Sequence, residues 1–578
     1  MGKHMKLLYK QLFRELLKNK IYTALLLVLT FCTSFMYFFV HFSIDGNRKI
    51  LKGLASLSKE QLLYLNGLNS NTILAGNVLL AFTCMTGFVF SMFYYRFFKL
   101  ENRQIGCLKA LGFKDREIRS IFLIFTAAIT AVGSLTGIGG GYFASDILIS
   151  AGEQTYMLAG LIKALDGKSI FVGVMFPLTV FLLITFCNYF YIRRKESGLL
   201  LSGVIQKSKY TIGLRFANMI AEIFPPKNRS ALRLALRKPV AVLLIIISVT
   251  SFSVMFILGY SLNLSSQKIF ESLTRGHNYL YDTHFREPIP YPDTEAKREQ
   301  EIQPYLTADS VIENKSVKVK QTVIGVEVGN GLFELIDMEQ EPLSIPGEKE
   351  VVIGAALNDI YGFQVGDRVM LSLDNSKYEV VISGIAFNAA TDSVYISKQE
   401  LAKHLSQPSD YCNGIWSMKD LNLGGDVITK AQRIDKLERD SVSNKSSAVI
   451  NQVMGCAVGC ILLFLALYIN FQDSTRDILI LHLMGYKVKE IRKMLINIYG
   501  PIMRISFILT LIPGIMLVRS ILRTLSLQIG DYIPFQTNGF ILVGIFVLLN
   551  LVYILVQGSF HAGVKRIIRN EDFATYTT

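Results

Sequence analysis

The sequence predicts a membrane protein that is all-α within the bilayer, about eight transmembrane helices in two four-helix halves, with one α+β domain outside. Three observations carry this. Of the 578 residues, 51% are hydrophobic and only 18% charged, whereas soluble domains sit at about a quarter charged. Apolar runs long enough to cross a bilayer recur along the chain. A single polar segment of about 185 residues, 262–448, interrupts them and is long enough to fold as a domain. The net charge of +15 would suggest nucleic acid in a soluble chain. Here Lys and Arg lie beside apolar runs, which points to topology and anionic lipid and argues against a nucleic-acid partner.

Taken in order, residues 1–20 hold a basic amphipathic stretch. Lys6, Lys10, Arg14 and Lys18 recur every fourth residue beside Leu8, Leu12 and Leu16, the pattern of a helix lying in the membrane interface. The first half, 21–192, has spans at about 21–43, 73–98, 118–143 and 169–192. The first run lacks a small-x-small cleavage site and is expected to remain as an anchor. The segment 44–72 reads as a mildly polar outer loop. A connector, 193–238, is broken by Pro225-Pro226 and ends in a second amphipathic stretch with Arg229, Arg233 and Arg237 at the same spacing. Span five follows at 239–261. The remaining part, 449–578, holds spans six to eight at about 449–471, 494–519 and 537–559 and a short tail.

Between spans two and three the chain reads Arg103-Gln-Ile-Gly-Cys-Leu-Lys109-Ala-Leu111-Gly112-Phe113-Lys114. Between spans six and seven it reads Arg476-Asp-Ile-Leu-Ile-Leu-His482-Leu-Met484-Gly485-Tyr486-Lys487, and both copies continue to Glu-Ile-Arg. This is an internal repeat with a period of roughly 370 residues. The loops on the repeat's side hold 28 Lys and Arg, the three short opposite loops seven. Both repeated loops, the amphipathic stretches and both termini are therefore expected in the cytosol.

The outer segment carries 28 Asp and Glu against 19 Lys and Arg. Its middle alternates as strands do: Val317–Val319, Thr322–Val326, Val351–Gly354, Gly366–Leu373, Tyr378–Ile385 and Ser393–Ile396, with turn residues between them. A helix is expected at Leu401–Leu405 and a polar helical lead into span six at Asp426–Lys445. Seven cysteines show no disulfide or metal spacing, and His41, His277, His284 and His404 are scattered, so no metal site is expected. No Gly-x4-Gly-Lys-[Ser/Thr] phosphate loop occurs, so ATP has no usual cradle in this chain.

A basic helix before a first span and an Arg-x-Ile-Gly-x-Leu-Lys-Ala-Leu-Gly loop between the next two resemble the FtsX/MacB class of ABC-transporter permeases. Gly366-Asp367-x-Val369, Val381-x-x-Gly384-Ile385 and Val394-Tyr395-Ile396 are similar to the periplasmic core domain of MacB-like permeases. Two fused halves with one large outer domain opening the second resemble the BceB-type bacitracin-resistance permeases. Those have an extra pair of spans where this chain has its connector. The resemblance implies a non-enzymatic permease of the bacterial plasma membrane that works with two copies of a separate cytosolic ATPase, which binds ATP and Mg. Motor closure then works the outer domain through the spans, a mode called mechanotransmission.

In that frame Ala110-Leu111-Gly112-Phe113 and Leu483-Met484-Gly485-Tyr486 form apolar tips for docking, with Arg103, Lys109, Lys114, Arg476 and Lys487 flanking them for charge steering and His482 in the second loop. The bland reading is a tight cytosolic loop obeying the positive-inside bias; duplication favours docking. Gly133, Gly137 and Gly141 share one helix face and favour close packing of spans. Arg504 lies inside span seven, where a cation needs a partner or must snorkel; Asn470 and Asn77 are candidate neighbours. The lone Trp416 reads as core. The expected function is export or dislodging of an amphipathic peptide or lipid complex. The alternative is a signalling permease that relays force to a sensor kinase or cell-wall hydrolase.

Overall fold

A computed structural model describes Phe13, Leu16 and residues 20–193, 239–291, 302–314, 317–327, 331–373, 376–495, 497–529 and 532–569. Among these residues, eight helical stretches are long and apolar enough to span a membrane. The first half contains α1 (Lys20–Lys52), α2 (Lys59–Leu100), the short α3 (Asn102–Ala110), α4 (Asp115–Ala144), α5 (Asp146–Tyr156) and α6 (Gly167–Arg193). The second contains α7 (Pro239–Thr274), the outer domain, α10 (Lys430–Asp473), α11 (Thr475–Leu483), α12 (Val488–Leu495), α13 (Tyr499–Ile529) and α14 (Gly539–Arg569). Lys10, Arg14, Lys18, Arg229, Arg233 and Arg237 lie outside the described residues.

The expected outer loop at 44–72 is largely helical. Only residues 53–58 are non-helical, and α2 starts at a capping box in which Ser58 Oγ accepts from Gln61 N. The reason is a local apolar cluster: Ile44 and Leu51 at the end of α1 pack on Tyr64 and Leu68 of α2. That burial carries both helices past the hydrophobic stretch that hydropathy alone identifies.

Close helix contact falls in different places in the two halves. A methyl group on Gly133, Gly137 or Gly141 of α4 would lie 2.0 Å from Thr30 Oγ1, 2.7 Å from Ser34 Cβ or 2.8 Å from Phe39 N, so these glycines set α4 directly against α1. Ser34 donates to Ser134 across the same seam, at 3.0 Å. In the second half the tight seam joins α7 to α10, through Gly259 against Ala448, Gly455 against Met255 and Gly459 against Phe252. At 36 and 44 residues, these two helices reach about 54 and 66 Å. The hydrocarbon is only about 30 Å thick, so they form a stalk.

The stalk runs straight into the outer domain. Its strands are β1 (Tyr281–Pro290), β2 (Ile302–Asn314), β3 (Val317–Val326), β4 (Glu350–Gly354), β5 (Arg368–Leu373), β6 (Ser376–Ala386), β7 (Ser393–Ser397), β8 (Tyr411–Ser417) and β9 (Asp426–Thr429). Two short helices are α8 (Ala355–Tyr361) and α9 (Lys398–His404). Strands β3-β7-β4-β6-β5-β2 close on themselves because the long β2 also pairs with β3, making a six-stranded barrel with no free edge. Alternation along these strands points Leu306, Val323, Ile353, Leu371, Val380 and Ile396 into its core. Strand β2 then continues at its other end into β8, β1 and β9. Residue Tyr281, following α7, pairs with Thr429, which caps α10, so the β1–β9 ribbon prolongs the stalk. Arg433 of α10 clamps the junction, 3.9 Å from the Tyr279 ring centre and donating to the Tyr279 carbonyl at 3.0 Å. Trp416 lies in the core of this junction, stacked on Tyr305 at 4.3 Å.

Candidate coupling site

Both repeated loops fold as a nine-residue helix, a glycine turn and a new helix. At the end of α3, Phe113 N donates to Leu108 O (3.2 Å) and Gly112 N to Lys109 O (3.1 Å). At the end of α11, Tyr486 N donates to Leu481 O (3.1 Å) and Gly485 N to His482 O (3.0 Å). These are the paired bonds of a Schellman ending, which needs a left-handed residue at its turn. Gly112 and Gly485 supply it with φ of +89° and +87°. A β-carbon on either would meet no atom within 4 Å. Backbone angle, not close approach, is therefore what the glycines provide. The next helix is capped alike in each copy, Glu117 Oε2 accepting from Lys114 N (3.0 Å) and Glu490 Oε2 from Lys487 N (2.9 Å). The same backbone construction thus appears twice, atom for atom.

This construction exposes the tips. Leu111 is 72% exposed, Leu483 67% and Met484 68%, large apolar side chains that no neighbour covers. Phe113 instead folds back with Leu108 onto Ile121, the apolar staple that accompanies such a turn. Its partner position, Tyr486, is more open. Lys109 turns inward to Asp115, Nζ to Oδ1 at 3.1 Å, and Tyr189 donates to the same oxygen at 3.0 Å. His482 occupies the equivalent place, and its Nδ1 is buried with no partner among the described residues. The side chains of Arg103 and Arg476 lie outside what is described, though both residues belong to the helices.

The exits differ. Helix α4 runs unbroken from Asp115 to Ala144, whereas α12 stops at Leu495 and α13 starts at Tyr499. Pro501 lacks an amide for the usual helical bond and its ring opposes the carbonyl of Asn497, so the chain turns through Gly500 N to Asn497 O instead (3.2 Å). Pro513, by contrast, is carried within α13. Arg504, in the second turn of α13, donates from Nε to Asn550 Oδ1 of α14 at 3.1 Å. Its partner is thus Asn550; Asn470 is taken by Tyr499, whose hydroxyl lies 3.0 Å away.

The four histidines singled out above each have a local role. His41 sits 3.0 Å from Asp45, His277 contacts Tyr279 and Asn388, His284 stacks on Tyr305 and His404 on Tyr378. Among the described residues no group of three or more potential ligands could hold a metal. Sequence reasoning did not find the cross-half contact at the loops' end of the bundle. There Arg96 of α2 donates to Tyr22 Oη (3.0 Å) and to the Ile469 carbonyl of α10 (3.2 Å). Only the fold brings residues that far apart in sequence together.

Fold and site together define a polytopic membrane protein of eight apolar helical stretches among the described residues, with duplicated helix–turn loops and a single barrel domain carried on a helical stalk. Comparison with known families agrees. The model of the FtsX-like permease C-terminal region matches residues 77–197 and 453–559, and that of the MacB-like periplasmic core domain matches 240–427. The chain belongs to the FtsX/MacB-like permeases, with two halves fused. Its general role is therefore that of a permease coupled to ATP-driven transport, and permeases of this family work with a cytosolic ABC ATPase. No curated protein matches the sequence.

Proposed function

We propose that this chain is the membrane subunit of a BceB-like complex in which two ATPase subunits grip the α3 and α11 tips from the cytosol. Their closure displaces the extracellular barrel and so exports or dislodges an amphipathic substrate, an antimicrobial peptide or a lipid complex. The observation that carries this reading is the duplicated loop, an identical Schellman-ended frame that leaves Leu111 and the Leu483–Met484 pair bare. Exposed apolar side chains on a short helix are what a groove on a partner recognises. Four spans separate the loops, an even number, so both open on one side of the membrane. The excess of basic residues in the connecting segments supports a cytosolic assignment of that side and of both termini. The polar, net acidic outer segment suits a cationic peptide.

The test is co-purification with candidate ABC ATPases, followed by hydrolysis measured with and without peptide or lipid. Leu111→Asp combined with Met484→Asp is expected to abolish co-purification while the permease stays folded. Deleting the barrel is expected to leave ATPase binding intact and to abolish export. Unchanged binding in the first variant, or retained export in the second, would contradict the proposal.

A further inference from the structure

The outer end of α13 is held from two sides. On one side, Arg519 Nη2 lies 3.7 Å from Asp359 Oδ1, Arg523 donates to the Ile360 carbonyl, and the Tyr532 hydroxyl donates to Asp359 Oδ2. Asp359 and Ile360 belong to α8, the helix that leaves β4; Leu357 of the same helix is part of the barrel core. On the other side, the turn after α13 is tied to the stalk. Ser265 donates to the Pro534 carbonyl, and Ser261 Oγ accepts from Gln536 N at 3.0 Å. The outer end of α13 and the segment that follows it are therefore tied to both stalk and barrel.

The chemistry of the barrel side differs from that of the helix seams. It consists of a half-exposed charge pair, a carbonyl bond and a phenol, where the seams are glycine against apolar and small hydroxyl side chains, with no charged group at their close contacts. Exposed ion pairs contribute little to stability, so this contact fixes direction while remaining easy to break. Its other end matters equally. Helix α13 starts just after the break that follows the second coupling loop, and its 31 residues form one rod of about 46 Å.

We propose that Asp359 is a positioning residue that receives motion from the seventh span, so the barrel, carried on its stalk, is driven through an α13–α8 latch. This rests on the coupling function proposed above. The experiment uses the full chain with its co-purifying ATPase in nanodiscs. The seven native cysteines are replaced by serine, and spin labels are placed at Lys377→Cys on the barrel and Lys52→Cys at the outer end of α1. The label distance is measured without nucleotide and after trapping with ATP, Mg and vanadate.

The expected result is a nucleotide-dependent shift in the otherwise unaltered chain, its loss in Asp359→Arg, where two cations face each other, and its return in Asp359→Arg/Arg519→Asp. A shift that persists in Asp359→Arg overturns the latch and leaves the coupling function standing. A charge swap that fails to restore the shift overturns the pairing with Arg519. No shift in the otherwise unaltered chain overturns the coupling function, and the latch with it.

Discussion

Replacing both loop glycines separates a docking frame from an ordinary tight turn. Gly112 and Gly485 hold φ near +90°, and nothing lies within 4 Å of where a β-carbon would sit. Any effect of Gly→Ala is therefore backbone strain alone, about 1–2 kcal/mol per site for an L-residue forced left-handed. If the native turn is what the ATPase binds, that energy lowers affinity about 5- to 30-fold per loop, each 1.4 kcal/mol being tenfold. Asn tolerates the left-handed region far better, and Val resists it more than Ala does. Affinity is then expected to fall in the order Gly, Asn, Ala, Val at both positions, most steeply in the double variant. Titration of the solubilised permease with its ATPase measures this, with thermal unfolding as the control for global damage. A Gly112→Val/Gly485→Val chain that bound its ATPase with unchanged Kd and still moved with nucleotide would refute the reasoning.

Three further outcomes are expected. His277, desolvated against Phe333, has its pKa pushed down to about 4 from 6.5. The unfolded chain therefore takes up this proton first, and stability present above pH 6.5 is lost as pH falls towards 4, by at most about 3 kcal/mol. Burial raises the Asp282 carboxyl and opposes this trend, so the diagnostic comparison is the parent chain with His277→Gln. The variant's pH dependence should flatten when unfolding is followed by the single Trp416, and parallel curves would count against the assignment. In α4, Gly137→Ala drives a methyl to 2.9 Å from Phe35 N and should cost about 1–3 kcal/mol. Gly139→Ala, which meets nothing, should be neutral or slightly stabilising in the same melting assay. Pro501→Ala restores the missing amide and should join α12 to α13; lower nucleotide-driven movement of the barrel with higher thermal stability is expected, and unchanged movement would remove the break from the mechanism.

Much of this was legible because the signals are local. Span number follows from hydropathy, and the repeated loop follows from residue types at fixed spacing, since a Schellman turn is specified within six residues. Strands β3 to β7 alternate and are bounded by turn residues, so they too could be read. Strands β1, β2 and β8 could not: β1 carries Arg286, Glu287 and two prolines, β2 opens on Gln303-Pro304, and β8 is centred on Asn413-Gly414. Their strand character comes from pairing with each other across more than 100 residues, which outweighs propensity. The Asp359 and Arg96 contacts were illegible for the same reason: each joins elements distant in sequence.

The fold also explains why a duplicated chain need not work as two equal engines. In the first half the glycine seam binds α1 to α4, the span that leaves the first coupling loop, and α4 is continuous. On the proposed coupling, a push on α3 would meet this packed pair. In the second half the glycines bind α7 to α10; α13 is broken from α12, packs along α7 with Met503, Val518 and Leu522 buried in the apolar core, and carries polar ties to stalk and barrel towards its outer end. On the coupling proposed above, the same push on α11 would reach α13 only across the break between Leu495 and Tyr499. The barrel hangs from the stalk and touches the rod. On that proposal the outer domain lies in the half whose loop is followed by a broken helix, and the first half, whose α4 is continuous, would serve as the frame.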